Sequence, residues 1–356
     1  VLSSPSRRGL VVRLLASVGV VASALATGGV AVADTAVAHA GTAAPACAYQ
    51  PTQLPGVPGS RVATGYVQAT DGGRYFGGLG HWSSDGLGGD HRGLVWRDGV
   101  VVADFGSLSH VTGVNSSGDA VGGTESVEPL TWHDGRLGRL SRPPQNTRHF
   151  AQASAVSDTG VVIGSATFDD GTVHALAWSI HNPTAPRDLG IAGRLFALTD
   201  ISDDDRIVGT FTSGSRLQAV TGTVDGGFRP LGGVDPAADS SATDIAGSYV
   251  LGTATVPGQG KGAVLWRDGV PRLLTGAGTA TLTDVNSSGT VVGYEGTDYS
   301  RRTAVVLSGG TRTVLPPLPG YTHAEAMAVT DDGRIAGRSI RSGSDAQFVP
   351  TVWSCA

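Results

Sequence analysis

Lysine is almost missing from this chain: Lys261 stands alone, and charged residues of every kind make up only 15% of the sequence. The other basic residues are all arginine, a bias read here as high-GC coding and not as an arginine-based function. With a net charge of −5 there is no basic excess to track a phosphate backbone, so nucleic acid is excluded as a partner. Cysteine occurs twice, at Cys47 and Cys355, so any bridge within the chain is single. No G-x-S-x-G, no H-E-x-x-H and no phosphate-cradling loop is present, which removes the commonest signatures of hydrolases and nucleotide enzymes. Beyond residue 32 no apolar run reaches membrane-spanning length. What the chain has in excess is glycine, 54 of 356 residues. Glycine weakens helices and suits tight turns, so the composition predicts many short strands.

The N-terminus carries Arg7, Arg8 and Arg13, then an apolar Ala/Val/Gly-rich run from Leu14 to Val32. Two small-x-small sites follow, Ala31-Val32-Ala33 and Ala38-His39-Ala40. This is the order of a secretory signal peptide, assigned to residues 1–40, with the mature protein starting near Asp34 or Gly41. Ser6-Arg7-Arg8-Gly9-Leu10 is similar to a twin-arginine signal. The alternative is a retained membrane anchor. Val at position 1 is read as a GUG start codon.

From residue 57 onward one unit recurs. It opens with an apolar strand, a polar turn and a second apolar strand closed by glycine. Val114-Asn115-Ser116-Ser117-Gly118 leads to Gly122, Val156-Ser157-Asp158-Thr159-Gly160 to Gly164, and Ile201-Ser202-Asp203-Asp204-Asp205 to Gly209. Further copies close at Gly252, Gly293 and Gly337, and a degenerate first copy at Gly77. The closing glycines are 45, 42, 45, 43, 41 and 44 residues apart. Each unit continues with a strand that usually ends in tryptophan (Trp96, Trp132, Trp178, Trp266, Trp353), with Gly222 and Leu307 in the other two. Turns such as Arg97-Asp98-Gly99, His133-Asp134-Gly135 and Arg267-Asp268-Gly269 then lead into a fourth strand, because Asp-Gly between apolar runs favours a tight hairpin. Four antiparallel strands in about 43 residues is the size of one propeller blade. The chain is therefore predicted to be an all-β, seven-bladed β-propeller over residues 41–356, with the first strand of each unit innermost.

Closure has its own signature. The seventh unit stops at Trp353-Ser354-Cys355-Ala356 without a fourth strand, while residues 48–54 form an orphan strand near the start. The orphan is expected to complete the seventh blade. Cys47 precedes it and Cys355 ends the last strand, so the two are expected to form a disulfide that clasps the ring.

The segments Ala155-Val156-Ser157-Asp158-Thr159-Gly160-Val161-Val162-Ile163-Gly164 and His174-Ala175-Leu176-Ala177-Trp178 resemble the HAF-type extracellular repeat family. Gly262-Ala263-Val264-Leu265-Trp266 and Thr303-Ala304-Val305-Val306 are similar to its second segment, and one copy keeps the histidine. The resemblance spans about residues 57–356 and implies a secreted repeat protein; it brings no catalytic residues. The Ser/Asp/Gly turns also resemble the Asp-box turns of sialidase-type propellers, but lack the tryptophan of that motif.

Two constellations are candidates for chemistry. Asp200, Asp244 and Asp284 share one position in three successive units, each in a Thr-Asp-Ile/Val segment of the innermost strand. Three carboxylates along a channel can hold Ca²⁺ or another hard cation, or act as an acid/base pair on a sugar. The competing and favoured reading makes each an acceptor of backbone N–H bonds from the next tight turn, since a repeated residue usually builds the repeat. The second candidate is the long insertion of the first unit, with His81, Trp82, Asp85, Asp90 and His91 as a ligand loop or a metal site. A Gly-rich loop without a ligand is the competing reading. The five repeated tryptophans are read as packing core. The expected function is an extracellular binding or interaction module for a glycan or protein, monomeric and free of the membrane once its signal is removed. The alternative is a secreted carbohydrate-active hydrolase or lyase with acids near the channel.

Overall fold

The computed structural model describes residues 47–355 except 86–88, 147–149, 192–194, 234, 236, 237, 257 and 343–346. The expected signal peptide lies outside the described residues. Seven four-stranded antiparallel sheets follow one another, and each of the first six is built from consecutive strands. The inner strands are Gly65–Thr70, Ser109–Val114, Ala151–Val156, Leu195–Ile201, Ser240–Ala246, Thr281–Val285 and His323–Val329, numbered here as blades 1 to 7. The chain is a seven-bladed β-propeller. Two single-turn 3₁₀ segments are the only helical residues among those described, and no helix there is long and apolar enough to cross a membrane.

The recurring turns form for local reasons. Asp98, Asp134 and Asp268 have φ of 49°, 50° and 51°, and the glycine after each is also positive, as a two-residue hairpin requires. In every blade the inner strand carries a bulge, for example between Val111 and Gly113, facing the glycine that closes the second strand. The bulge drives an inner-strand carbonyl oxygen onto that glycine. A Cβ at Gly78, Gly122, Gly164, Gly209, Gly252, Gly293 or Gly337 would lie between 1.9 and 2.4 Å from such an oxygen. Register identifies Gly78, paired with Val67, as the blade 1 member, one residue beyond the expected Gly77.

The core sits between blades, because a single sheet cannot cover both of its faces. Tyr75, Val95 and Phe105 of blade 1 pack on Val111, Val114 and Leu130 of blade 2; similar clusters recur around the ring. Four repeat tryptophans are buried, Trp96, Trp266 and Trp353 completely, and each indole N–H donates to the carbonyl that follows the preceding blade's outer strand. The acceptors are Pro55 (2.8 Å), Ser141 (2.9 Å, from Trp178), Gly232 (2.5 Å) and Pro316 (2.6 Å). A buried leucine precedes each acceptor: Leu54, Leu140, Leu231 and Leu315. In blade 4 the Trp position is Gly222, and the Phe228 ring fills the space within 2.7 Å of where a Cβ would be.

Blade 7 is completed from the other end of the chain. Tyr49–Gln53 pairs with Gln347–Cys355, Tyr49 opposite Cys355 and Gln53 opposite Thr351. The Cys47–Cys355 disulfide spans 308 residues, with Cα atoms 5.3 Å apart. Leu54, Ala328, Ala336 and Val352 of blade 7 share one cluster with Val67, Phe76, Leu94 and Trp96 of blade 1, so the seam is packed like any other interface.

Candidate functional site

The inner strands surround a channel of 240 Å³. The bulge sets what faces it. Because an extra residue breaks the two-residue alternation, the bulged residue and the next both turn toward the channel and the following blade. The bulged hydroxyls of Thr112, Thr199 and Thr283 donate to the carbonyls of Ala153, Ala242 and Ala326 in the next blade, at 3.0, 3.2 and 3.2 Å. Asp200, Asp244 and Asp284 follow the bulge. Each accepts from a backbone N–H of the next inner strand: Ile245 at 3.0 Å, Val285 at 2.7 Å and Val329 at 2.6 Å. The three acids thus stitch blades 4 to 7 together, on the inner strand itself and not on the tight turn. The other four blades have Ala69, Gly113, Ala155 and Ala328 here, so the carboxylates crowd one arc of the channel.

This crowding perturbs them. Burial, and then the neighbouring Asp244 carboxyl, push both Asp200 and Asp284 well above the usual carboxylate range, and both hydrogen-bond to Asp244. Each acid keeps some surface open to the channel, yet protein crowds it on every other side. Confined water in a narrow channel solvates a charge less well than bulk, so desolvation governs. At the channel mouth Asp203 is pushed up to about 6 by burial and by repulsion from Asp158 and Asp331. Among the described residues, six aspartates line the channel (Asp71, Asp200, Asp203, Asp244, Asp284 and Asp331) and no cationic side chain does. Carboxyls whose proton is held more tightly beside a third can exchange protons with a bound polyol, whereas a cation would need them ionised. Among the described residues, no group of three His, Cys, Asp or Glu side chains is arranged to hold one metal ion.

The first-unit insertion is mostly strand. Tyr75–Trp82 and Asp90–Arg97 form a long hairpin in which His81 faces His91 and Trp82 faces Asp90. Trp82 is half-buried against the blade 7–blade 1 seam, with the Arg92 guanidinium 5.3 Å from its ring centre. His81 meets Phe348 edge-on at 5.7 Å, and burial followed by His91 lowers its pKa. His91 reaches Glu125 at 3.3 Å. Asp90 accepts from the Leu108 N–H at 2.9 Å, and Asp85 bonds to the Ser83 hydroxyl at 3.1 Å. These five side chains thus point to different partners. His174, the histidine of the HAF-like strand, is held from both sides by Asp188 and Thr172, each at 2.7 Å.

Sequence reasoning passed over a buried ion triad. Glu325, 2% exposed, binds Arg302 at 2.6 Å and Arg338 at 2.7 Å, and Arg338 lies 4.8 Å from the Phe348 ring centre. The one signal was a glutamate between the alanines of an inner strand, His323–Val329. The repeat tryptophans also divide. Trp132 is only half-buried, and among the described residues its indole N–H has no partner within the protein. Its neighbour in blade 1 is Phe105, where the other four tryptophans have leucine. The two rings stack at 6.4 Å and 28°. The Gly106 carbonyl, at the place of the other four acceptors, instead accepts from the Ser109 hydroxyl at 2.5 Å.

No known family's sequence profile matches the chain, and no curated protein is similar to it in sequence. Solved structures match in fold. An oligogalacturonate lyase from Vibrio parahaemolyticus superimposes with a TM-score of 0.58 at 9% identity, covering 86% of this chain and 97% of that one. The β-propeller domain of the Trilobed protease from Pyrococcus furiosus gives 0.56 at 7% identity, covering 82% and 93%. A puromycin-hydrolysing peptidase from Mycobacterium tuberculosis gives 0.54 at 13% identity; the match covers 85% of this chain and 54% of that protein. At these identities the likeness is one of fold.

Proposed function

We propose that the chain is an exported binding module, a disulfide-clasped propeller whose surface holds an extracellular ligand, glycan or protein, without transforming it. One observation carries the reading: the repeated acids of the channel join blade to blade through backbone N–H groups, the role of framework residues. Export is supported by the order of charged, apolar and small residues at the N-terminus and by the Cys47–Cys355 bridge, which fits an oxidising compartment. The HAF-like repeats agree with it.

A second reading, a secreted carbohydrate-active hydrolase or lyase, has one observation in its favour: Asp200 and Asp284 favour the protonated form beside Asp244. The test is to incubate the full chain with a panel of polysaccharides, with and without Ca²⁺, and follow both retention and new chain ends. Retention without cleavage, unchanged in Asp200→Asn, Asp244→Asn and Asp284→Asn, supports the binding module. Cleavage that disappears in folded Asp244→Asn favours the enzyme, and Ca²⁺-dependent retention lost in the same variants makes the acids a cation site. Fractionation of cells checks export: a processed N-terminus in the medium is expected, and unprocessed chain inside the cell opposes it.

A further inference from the structure

We propose that the open groove centred on blade 2 is a saccharide site, with the Trp132 indole as its platform. The proposal rests on the binding-module reading and names its ligand class. The groove has a volume of 380 Å³ and lies away from the channel, lined by Tyr75 and Arg97 of blade 1, Trp132, His133 and Asp134 of blade 2, and His181 of blade 3. That volume is at the lower end of the roughly 300–1,000 Å³ of small-ligand sites.

The groove departs from the repeat at each position that matters. Four tryptophans are buried with their N–H groups bonded, whereas Trp132 keeps ring surface and a free N–H. Phe105 stacks on it from the core, where the other four tryptophans have leucine, and the Gly106 carbonyl at the equivalent place accepts from the Ser109 hydroxyl at 2.5 Å. His133 replaces the arginine found in Arg97-Asp98-Gly99 and Arg267-Asp268-Gly269. Its Nδ1 is 2.8 Å from Oδ1 of Asp119, a carboxyl 8% exposed and itself bonded by Asn115 at 3.3 Å. Its Nε2 lies 3.5 Å from Oδ2 of Asp134, so a carboxylate stands at each ring nitrogen. His181 packs edge-on against His133 at 4.9 Å and fixes the ring from the other side. The Arg97 guanidinium stands 5.5 Å from the Tyr75 ring centre.

The outcome is a half-exposed aromatic face ringed by donors (the indole N–H and Arg97) and by the Asp134 carboxylate, with the His133 imidazole held between Asp119 and Asp134. A pyranose ring matches this pattern, with an apolar C–H face for the indole and hydroxyls that both donate and accept. An apolar ligand would leave the rim unpaired, and such unpaired buried groups are costly. A phosphate ligand would meet Asp119 and Asp134 with one guanidinium to offset them. The geometry therefore selects an uncharged saccharide.

The test screens the full chain on an array of neutral and acidic oligosaccharides, then measures the best neutral hit by calorimetry. We expect a neutral saccharide to bind, Trp132→Ala to weaken it at least tenfold while the protein still melts cooperatively as a folded chain, and Asp244→Asn to bind like wild type. Phe105→Leu gives a second reading, because it lets the indole sink and bond to Gly106; weaker saccharide binding with equal or higher stability is expected. Failure of every saccharide to bind overturns the proposal, as does a Trp132→Ala protein that binds as tightly as wild type. In the latter case, loss in Asp244→Asn places the ligand in the channel, and the groove fails while the binding module stands. Cleavage of the saccharide by wild type fails the binding module instead.

Discussion

Replacing Cys47 and Cys355 by serine removes the one covalent link that closes the ring, and its effect follows from loop length. The bridge spans 308 residues. Chain-entropy arithmetic gives a loop of that size about 5.7 kcal/mol at 25 °C, while measured disulfides cluster at about 2–4 kcal/mol. A loss of about 3–6 kcal/mol is expected. Unfolding entropy near 2.1 cal/mol/K per residue, over a unit running from Cys47 to Ala356, converts this to a drop in Tm of about 5–9 °C. The orphan strand gives a local readout. Without the bridge, Tyr49–Gln53 is held by its pairing with Gln347–Cys355, the Leu54 N–H bond to Pro350 at 2.9 Å and the buried Leu54. Its amides should exchange with solvent faster than those of any other outer strand. Calorimetry of wild type and double variant, with hydrogen exchange resolved to the first ten residues of the unit, reads both effects. An unchanged Tm together with unchanged protection of Tyr49–Gln53 would refute the argument that the clasp stabilises the ring.

Glu325→Ala leaves the guanidinium groups of Arg302 and Arg338 without their shared carboxylate, and about 3–5 kcal/mol should be lost in urea denaturation; a loss under 1 kcal/mol would show that water already balances the pair. Gly164→Ala places a Cβ 2.0 Å from the Gln152 carbonyl, so the bulge must shift, and we expect at least about 2 kcal/mol of destabilisation or no soluble protein; wild-type stability would refute the packing argument. The raised aspartates fix a sign for pH dependence. A carboxyl whose folded pKa exceeds its unfolded value binds more protons when folded, so stability falls as pH rises between the two. For Asp203 that window runs from the usual carboxylate range to about 6. Asp203→Asn should flatten the fall in stability across it, by about 1 kcal/mol after solvent screening, and a carboxyl titration midpoint near 4 by NMR would contradict it. Asp284→Asn keeps an oxygen for the Val329 N–H and should raise Tm more at pH 8 than at pH 4; a lower Tm at pH 8 would mean that the charge itself is needed there, as for a bound cation.

Most of the architecture was legible because its causes are local and repeated seven times. Asp-Gly turns, closing glycines and alternating apolar strands each depend on a few neighbouring residues, and the period turns them into a blade count. The ends were legible too: a missing outer strand at Trp353-Ser354-Cys355, an orphan strand after Cys47 and a cysteine beside each leave one way to close the ring. The Thr-Asp positions at Asp200, Asp244 and Asp284 could be placed on the channel, and their role as backbone acceptors was foreseen. Their partners were not, because the bulge that turns threonine and aspartate the same way appears only when the inner strand meets its neighbour. Distance across blades decided the rest. His81 and His91 became a cross-strand pair instead of a loop, and Glu325 found Arg338 on the adjacent strand and Arg302 just before a strand of the preceding blade. Trp132 looked like its four counterparts in the chain, yet a phenylalanine 27 positions earlier, packed beneath it, left it open to solvent. A repeat specifies what every blade shares; which blade departs from the rest, and toward what, is set by side chains far apart in sequence that meet only once the ring is closed.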